Sequence, residues 1–145
     1  MNIKNFFTKE EQAAIVQAIS DAENETSGEI RVHIADKCKG DVLDSAAHVF
    51  KKLRMHKTEL RNGVLVYLAI TDRKFAIIGD VGIHNKMPEG CWNQIKEQMT
   101  KHFLNKDFEK GLIDGIILTG HRLKEYFPVN SGAKNELSND ISFGK

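Results

Sequence analysis

The stretch from Asn62 to Gly82, NGVLVYLAITDRKFAIIGDVG, constrains the fold more than any other part of the chain. Asn62-Gly63 is a break, and Val64 to Ile70 follows as an unbroken apolar run rich in β-branched residues. A strand buried on both faces reads this way, whereas a half-wet strand alternates. Thr71-Asp72-Arg73-Lys74 is a polar turn, and Phe75 to Ile78 is a second apolar run closed by Gly79-Asp80-Val81-Gly82. Two strands this close must be antiparallel, because a parallel crossover needs about a dozen residues or more. The stretch predicts a hairpin whose first strand is central in a sheet covered on both sides.

Upstream, Glu29 to Ala35 alternates, with Ile30, Val32 and Ile34 inward and Arg31 and His33 outward, as in a strand with one less buried face. Asp36 to Asp41 is its exit loop. A helix then starts between Asp41 and Asp44, with Leu43, Ala46, Phe50 and Leu53 as its buried stripe, and continues irregularly through Arg54 to Leu60. A long helical link between two strands is a βαβ unit, parallel and right-handed. Before it, Thr8 and Glu11 have capping-box spacing ahead of a helix whose face is Ile15, Ile19 and Ala22, with Phe6 and Phe7 stapling its entry.

After the hairpin, Ile83 to Pro88 reads as a loop, and Pro88 suits the first turn of a helix striped by Trp92, Ile95, Met99 and Phe103. The last helix carries Leu112, Ile116, Leu123 and Phe127 and stops at Pro128. Its glycines, Gly111, Gly115 and Gly120, each weaken it by about 1 kcal/mol relative to Ala, which a close approach to a strand would offset. Val129 to Lys145 is polar and is expected to be a mobile tail, although Ile141 and Phe143 could dock. The expectation is one α/β domain over 1–128 followed by the tail, 129–145. The domain is a three-layer sandwich with a small mixed sheet, made of a βαβ unit plus an antiparallel hairpin, Rossmann-like in outline.

A length of 145 residues suits one domain with a real core. Lys and Arg number 21 against 20 acidic residues, a balance that argues against a nucleic-acid partner or a membrane-surface module. Cys38 and Cys91 have no metal or redox spacing and read as reduced thiols of a cytoplasmic protein. No apolar run approaches the roughly 20 residues of a membrane span. The N-terminal residues MNIKNFFTKEEQ lack the apolar stretch of a signal peptide.

In open α/β sheets ligands gather beyond the carboxyl ends of parallel strands. Asp36 ends the first strand, Asp72 ends the central one, and Asp41 and Asp44 open the next helix. Parallel pairing would set these carboxylates on one rim, a hard-oxygen site suited to calcium or magnesium. The local alternative is that Asp72 starts the turn while Asp41 or Asp44 caps the helix. On the opposite rim, Glu29, Asp80 and His84 could bind zinc or act as acid and base, but Asp80 reads better as support for a Gly-flanked turn. No nucleophile motif is present: Cys38 and Cys91 lack an Arg six residues on, and GDVG is too short to cradle phosphate. No organic cofactor is expected.

Glu29-Ile30-Arg31-Val32, Asn62-Gly63-Val64-Leu65-Val66, Thr71-Asp72-Arg73-Lys74, Gly79-Asp80-Val81-Gly82-Ile83 and Phe108 to Ile117 resemble, in order and spacing, the TPM domain family. The resemblance covers roughly Phe6 to Phe127 and implies an α/β sandwich. Family members include a thylakoid-lumen acid phosphatase, a photosystem II repair factor and an accessory subunit of acetylcholine receptors. Many bacterial members are exported and membrane-tethered, with acidic loop residues that bind divalent ions, notably calcium. The tail, with Asn135-Glu136-Leu137 and Asp140-Ile141-Ser142, is similar to a short soluble bacterial subgroup. The resemblance implies a non-catalytic binding or interaction module, aided by calcium, with a membrane-associated partner such as a LemA-type protein. The alternative it implies is a metal-dependent phosphatase acting on phosphate esters.

Overall fold

The computed structural model describes residues 2–129 and 135–144. Its sheet holds β1 (Glu29–Ala35), β2 (Gly63–Ala69), β3 (Lys74–Gly79) and β4 (Ser142–Phe143), in the order β3-β2-β1-β4. β1 pairs with β2 in parallel, Val32 beside Val66, and β2 pairs with β3 antiparallel, Val66 beside Ile77. Every residue of β2 is buried, as its unbroken apolar run requires.

Five helices flank the sheet among the described residues: α1 (Lys9–Glu23), α2 (Val42–Lys52), α3 (Val81–Lys86), α4 (Asn93–Leu104) and α5 (Phe108–Tyr126). Ile30, Val32, Ile34, Val64, Val66 and Leu68 face a core completed by Ile15 and Ile19 of α1, Ile95 and Met99 of α4, and Leu112 and Ile116 of α5. Leu65, Tyr67, Ala69 and Ala76 face a second core, closed by Ala46 and Val49 of α2 and by Met55 beyond it. The result is the three-layer sandwich expected from the alternation of element types.

Local chemistry explains the helix starts. Thr8 Oγ accepts from Glu11 N at 3.0 Å while Glu11 Oε1 accepts from Thr8 N at 2.9 Å, a complete capping box. Asp41 Oδ1 accepts from Leu43 N at 2.8 Å and caps α2.

Several expectations need correction. Three residues of the predicted stripe of α2, Ala46, Phe50 and Leu53, face the second core together with Val49, but Leu43 is 51% exposed. The predicted loop after the hairpin is the short helix α3, because Asp80 Oδ1 accepts from Val81 N at 2.7 Å and caps it. Pro88 starts a turn rather than a helix: Cys91 N bonds to Pro88 O at 3.2 Å, and α4 begins only at Asn93.

The glycines of α5 permit close packing on helices, not on a strand. A Cβ at Gly115 would lie 2.5 Å from Met99 Sδ of α4, and one at Gly120 would lie 2.8 Å from Ala22 Cβ of α1. His33 occupies the face of β1 opposite to Ile30, Val32 and Ile34, but that face is covered and His33 is only 4% exposed. The tail supplies the fourth strand, parallel to β1, with His33 beside Ser142 and Ile34 beside Phe143. Ile141 and Phe143 dock against the larger core. Residues 130–134 and 145 of the expected mobile tail lie outside the described residues.

Candidate functional site

The ladder between β1 and β2 continues past the strands. Ile70 N donates to Ala35 O at 2.9 Å, and Thr71 N donates to Asp36 O at 2.8 Å. Asp36 and Asp72 therefore leave the sheet at the same carboxyl rim. The Thr71 hydroxyl donates to Asp36 Oδ1. Asp72 Oδ2 accepts from Cys38 N at 2.8 Å, which ties the exit loop of β1 to the hairpin turn. Lys74 completes the clasp, its Nζ donating to Cys38 O at 3.3 Å and Gly40 O at 3.0 Å.

A cleft of about 790 Å³ opens beside this loop. Its walls include Asp36, Lys37, Cys38 and Lys39 from the loop, Asp44, Ser45 and His48 from α2, Tyr67 from β2, and Ile3 and Gly144 from the two chain ends. The Cys38 thiol donates to Ser45 Oγ at 3.2 Å. Burial pushes the Tyr67 hydroxyl up to about 12, with the neighbouring Cys38 thiol acting in the same direction. The Tyr67 ring stacks on His33, with centroids 5.6 Å apart and an 11° interplanar angle.

Asp36 and Asp44 thus share the cleft, and Asp72 braces its loop from behind. Asp41 caps α2 and is not one of the wall residues. Among the described residues, no group of three or more His, Cys, Asp or Glu side chains is placed to hold a metal ion. The sequence offers Tyr67 and Ser45 no site role, reads His48 as a helix histidine without a partner at ligand spacing, and leaves Lys74 in the polar turn. Tyr67 carried a signal, since it is the one side chain with a polar tip in the run Val64 to Ile70. Lys74 carried none, because its role depends on where the β1 exit loop lies.

The opposite rim is not one cluster. Asp80 meets Arg61, with Nε to Oδ2 at 2.7 Å, while Glu29 Oε1 accepts from Leu137 N at 2.6 Å. His84 is exposed on α3. Nearby, Glu23 Oε2 accepts from Ile30 N at 2.8 Å, and burial raises this carboxyl to about 7 against the lowering effect of that bond. Glu29 is also raised, chiefly by burial.

No helix among the described residues is long and apolar enough to cross a membrane. A search of curated proteins finds no match. Among solved structures, the BA42 protein from the psychrophilic bacterium Bizionia argentinensis is similar at 44% identity, with 99% of each chain covered and a TM-score of 0.92. The N-terminal domain of a protein from P. gingivalis matches at 16% identity and a TM-score of 0.70, over 87% of this chain and 83% of that one. The N-terminal domain of a Corynebacterium glutamicum protein matches at 12% identity and a TM-score of 0.64, over 94% and 80%. The last two show a shared fold alone. The TPM domain matches residues 2–121, nearly the whole sandwich, and the chain belongs to the TPM domain family.

Proposed function

We propose that this TPM domain is a binding module whose ligand seat is the cleft at the carboxyl ends of β1 and β2, with a divalent cation, calcium or magnesium, at its rim. The observation that supports this most is the clasped loop. Asp72 and Lys74 hold the Asp36–Asp41 segment from the hairpin side, so the cleft is pre-shaped. Ligand sites of open α/β sheets lie at this end of the strands.

Among the described residues no three His, Cys, Asp or Glu side chains are grouped to hold an ion, so the proposed site is a weak, open one completed by water. Calcium takes about six to eight oxygens. Asp36 and Asp72 each already have one carboxylate oxygen bonded within the protein, to Thr71 and Cys38. Asp36 and Asp72 would hold the ion, with Asp44 contributing from α2 and water supplying the rest. The ion would neutralise the carboxylates and offer an open position to an anionic group of a ligand. Lys37 and Lys39, in the cleft wall, favour the same sign of ligand.

Calcium at millimolar concentration is expected to raise the melting temperature by mass action. Asp72→Asn should reduce that rise and keep the fold, because the Asn carbonyl can still accept from Cys38 N. Calorimetry without calcium or magnesium binding at millimolar concentration would remove the ion from the reading. An equal shift in Asp72→Asn would move it to the rim of Glu29 and Asp80. Turnover of a simple aryl phosphate that depends on calcium or magnesium would replace the binding module with the phosphatase reading.

A further inference from the structure

β1 presents three polar side chains at alternate positions, Glu29, Arg31 and His33, on one face. Each grips the tail. Glu29 Oε1 accepts from Leu137 N at 2.6 Å, and Arg31 Nη2 donates to Asp140 O at 3.2 Å. His33 lies 2.9 Å from Ser142 Oγ through Nδ1 and 3.2 Å from Gly144 O through Nε2. The carbonyl can only accept, so Nε2 carries the proton and Nδ1 accepts from the hydroxyl. Gly144 N in turn donates to Ile34 O at 3.2 Å. Apart from the Ser142 hydroxyl, these bonds go to main-chain atoms of the tail, which a peptide of almost any sequence offers.

Side chains add the selectivity. Ile141 and Phe143 pack on the larger core and Leu137 on the second one. The strand pairing itself is short. β4 pairs only with His33 and Ile34, whereas β2 pairs with all of β1 from Glu29 to Ala35. Over the amino half of the outer edge no strand is paired among the described residues. There the Glu23 carboxylate accepts from Ile30 N, where a neighbouring strand would place a carbonyl. A partly paired edge is a template for another strand.

We infer that the outer edge of β1 is a recognition groove for an extended peptide lying parallel to the strand, with the chain's own tail as its resident occupant. The partner is a segment with apolar side chains at the spacing of Leu137, Ile141 and Phe143 and a small hydroxyl residue before the last of them. It binds by adding a strand: main-chain bonds supply affinity and alternate side chains supply choice. The inference names a partner class for the binding module proposed above; the groove runs along the outer edge of β1 and meets the cleft at Gly144.

The test is fluorescence anisotropy of a labelled synthetic peptide of residues 135–144, with the full chain, in the presence of EDTA so that the ion plays no part. In the wild type the tail competes from within. The full-length Ile141→Asp/Phe143→Asp chain, with its tail released, is expected to bind the peptide at least about tenfold more tightly, since the internal competitor acts at high effective concentration. Gly144→Pro is a second release variant. It removes the donor to Ile34 O and forbids the local φ of 137° without touching either core. Adding Arg31→Ala and His33→Ala to the released chain should abolish the gain, and a peptide carrying the two Asp changes should not bind. Release variants that bind no better than wild type, or binding indifferent to Arg31 and His33, would overturn the groove. The calcium shift is read on the wild-type chain, with its tail seated, and would stand in either case.

Discussion

Arg61 and Asp80 close a two-pronged ion pair at the amino rim of the sheet, Nε to Oδ2 at 2.7 Å and Nη2 to Oδ1 at 2.8 Å. The same carboxylate caps α3 through Val81 N. Around the pair the backbone is tied as well: Asp80 N donates to Gly63 O, and Gly82 N donates to Arg61 O, both at 2.9 Å. A Cβ at Gly82 would collide with the carbonyl oxygens of Leu60 and Arg61, 2.6 Å from the latter. Arg61-Asn62-Gly63 and Gly79-Asp80-Val81-Gly82 are therefore two halves of one joint, which places the start of β2 beside the end of β3.

Asp80→Ala should cost about 1 kcal/mol from the lost cap, while Arg61, 46% exposed, is solvated by water. Arg61→Ala keeps the cap but leaves the buried Asp80 carboxylate without its partner, and should cost more. Urea unfolding of the two variants checks the order, and a smaller loss for Arg61→Ala would show that Asp80 does not depend on the pair.

Gly120→Ala sets two effects against each other. The helix gains about 1 kcal/mol from the better helix former. The new methyl meets Ala22 Cβ of α1 at 2.8 Å, on a rigid helix, and overpacking costs about 1–3 kcal/mol. A net loss of stability is expected. Ala22→Gly in the same chain should recover part of it, and additive losses in the double variant would show that the two helices do not meet there.

Glu23 makes stability fall as pH rises. Its carboxyl stands at about 7 in the folded chain against an ordinary 4.5, so the folded state keeps a proton that the unfolded chain has released. The contribution is full below 4.5 and is lost as pH rises through 7. Glu29, also raised, acts in the same sense. His33 is lowered by burial and acts oppositely: its contribution is lost as pH falls below 6.5 through the folded value. Glu23→Gln keeps an acceptor for Ile30 N and should flatten the decline between about pH 5 and about pH 8. Denaturant midpoints across that range measure it, and an unchanged slope would assign the decline elsewhere.

Val66→Asp should abolish soluble expression. Val66 is fully buried at the centre of β2, and an unpaired carboxylate there costs several kcal/mol, comparable with the stability of a whole domain. A soluble, cooperatively unfolding variant would contradict the central position of β2.

The sequence by itself determined the elements whose signals are local or periodic. The seven apolar residues of β2, the capping box of Thr8 and Glu11, and the stripe of α5 were all legible, because strand burial, capping and helical periodicity are written in neighbouring residues. Parallel pairing of β1 with β2 followed from the length of the link, and it set Asp36 and Asp72 on one rim.

Tertiary structure decided what depends on a distant partner. His33 looked like a surface residue because alternation shows which face a side chain takes, not whether that face is covered; the tail covers it and Tyr67 stacks beside it. The glycines of α5 announced a close approach, but only the packed helices showed that Met99 and Ala22 make it. Lys74 became a clasp because the β1 exit loop crosses its reach. Ile141 and Phe143 signalled that the tail could dock, but nothing local placed it along Glu29, Arg31 and His33. A main-chain bond to a side chain more than a hundred residues away leaves no pattern in the residues around it.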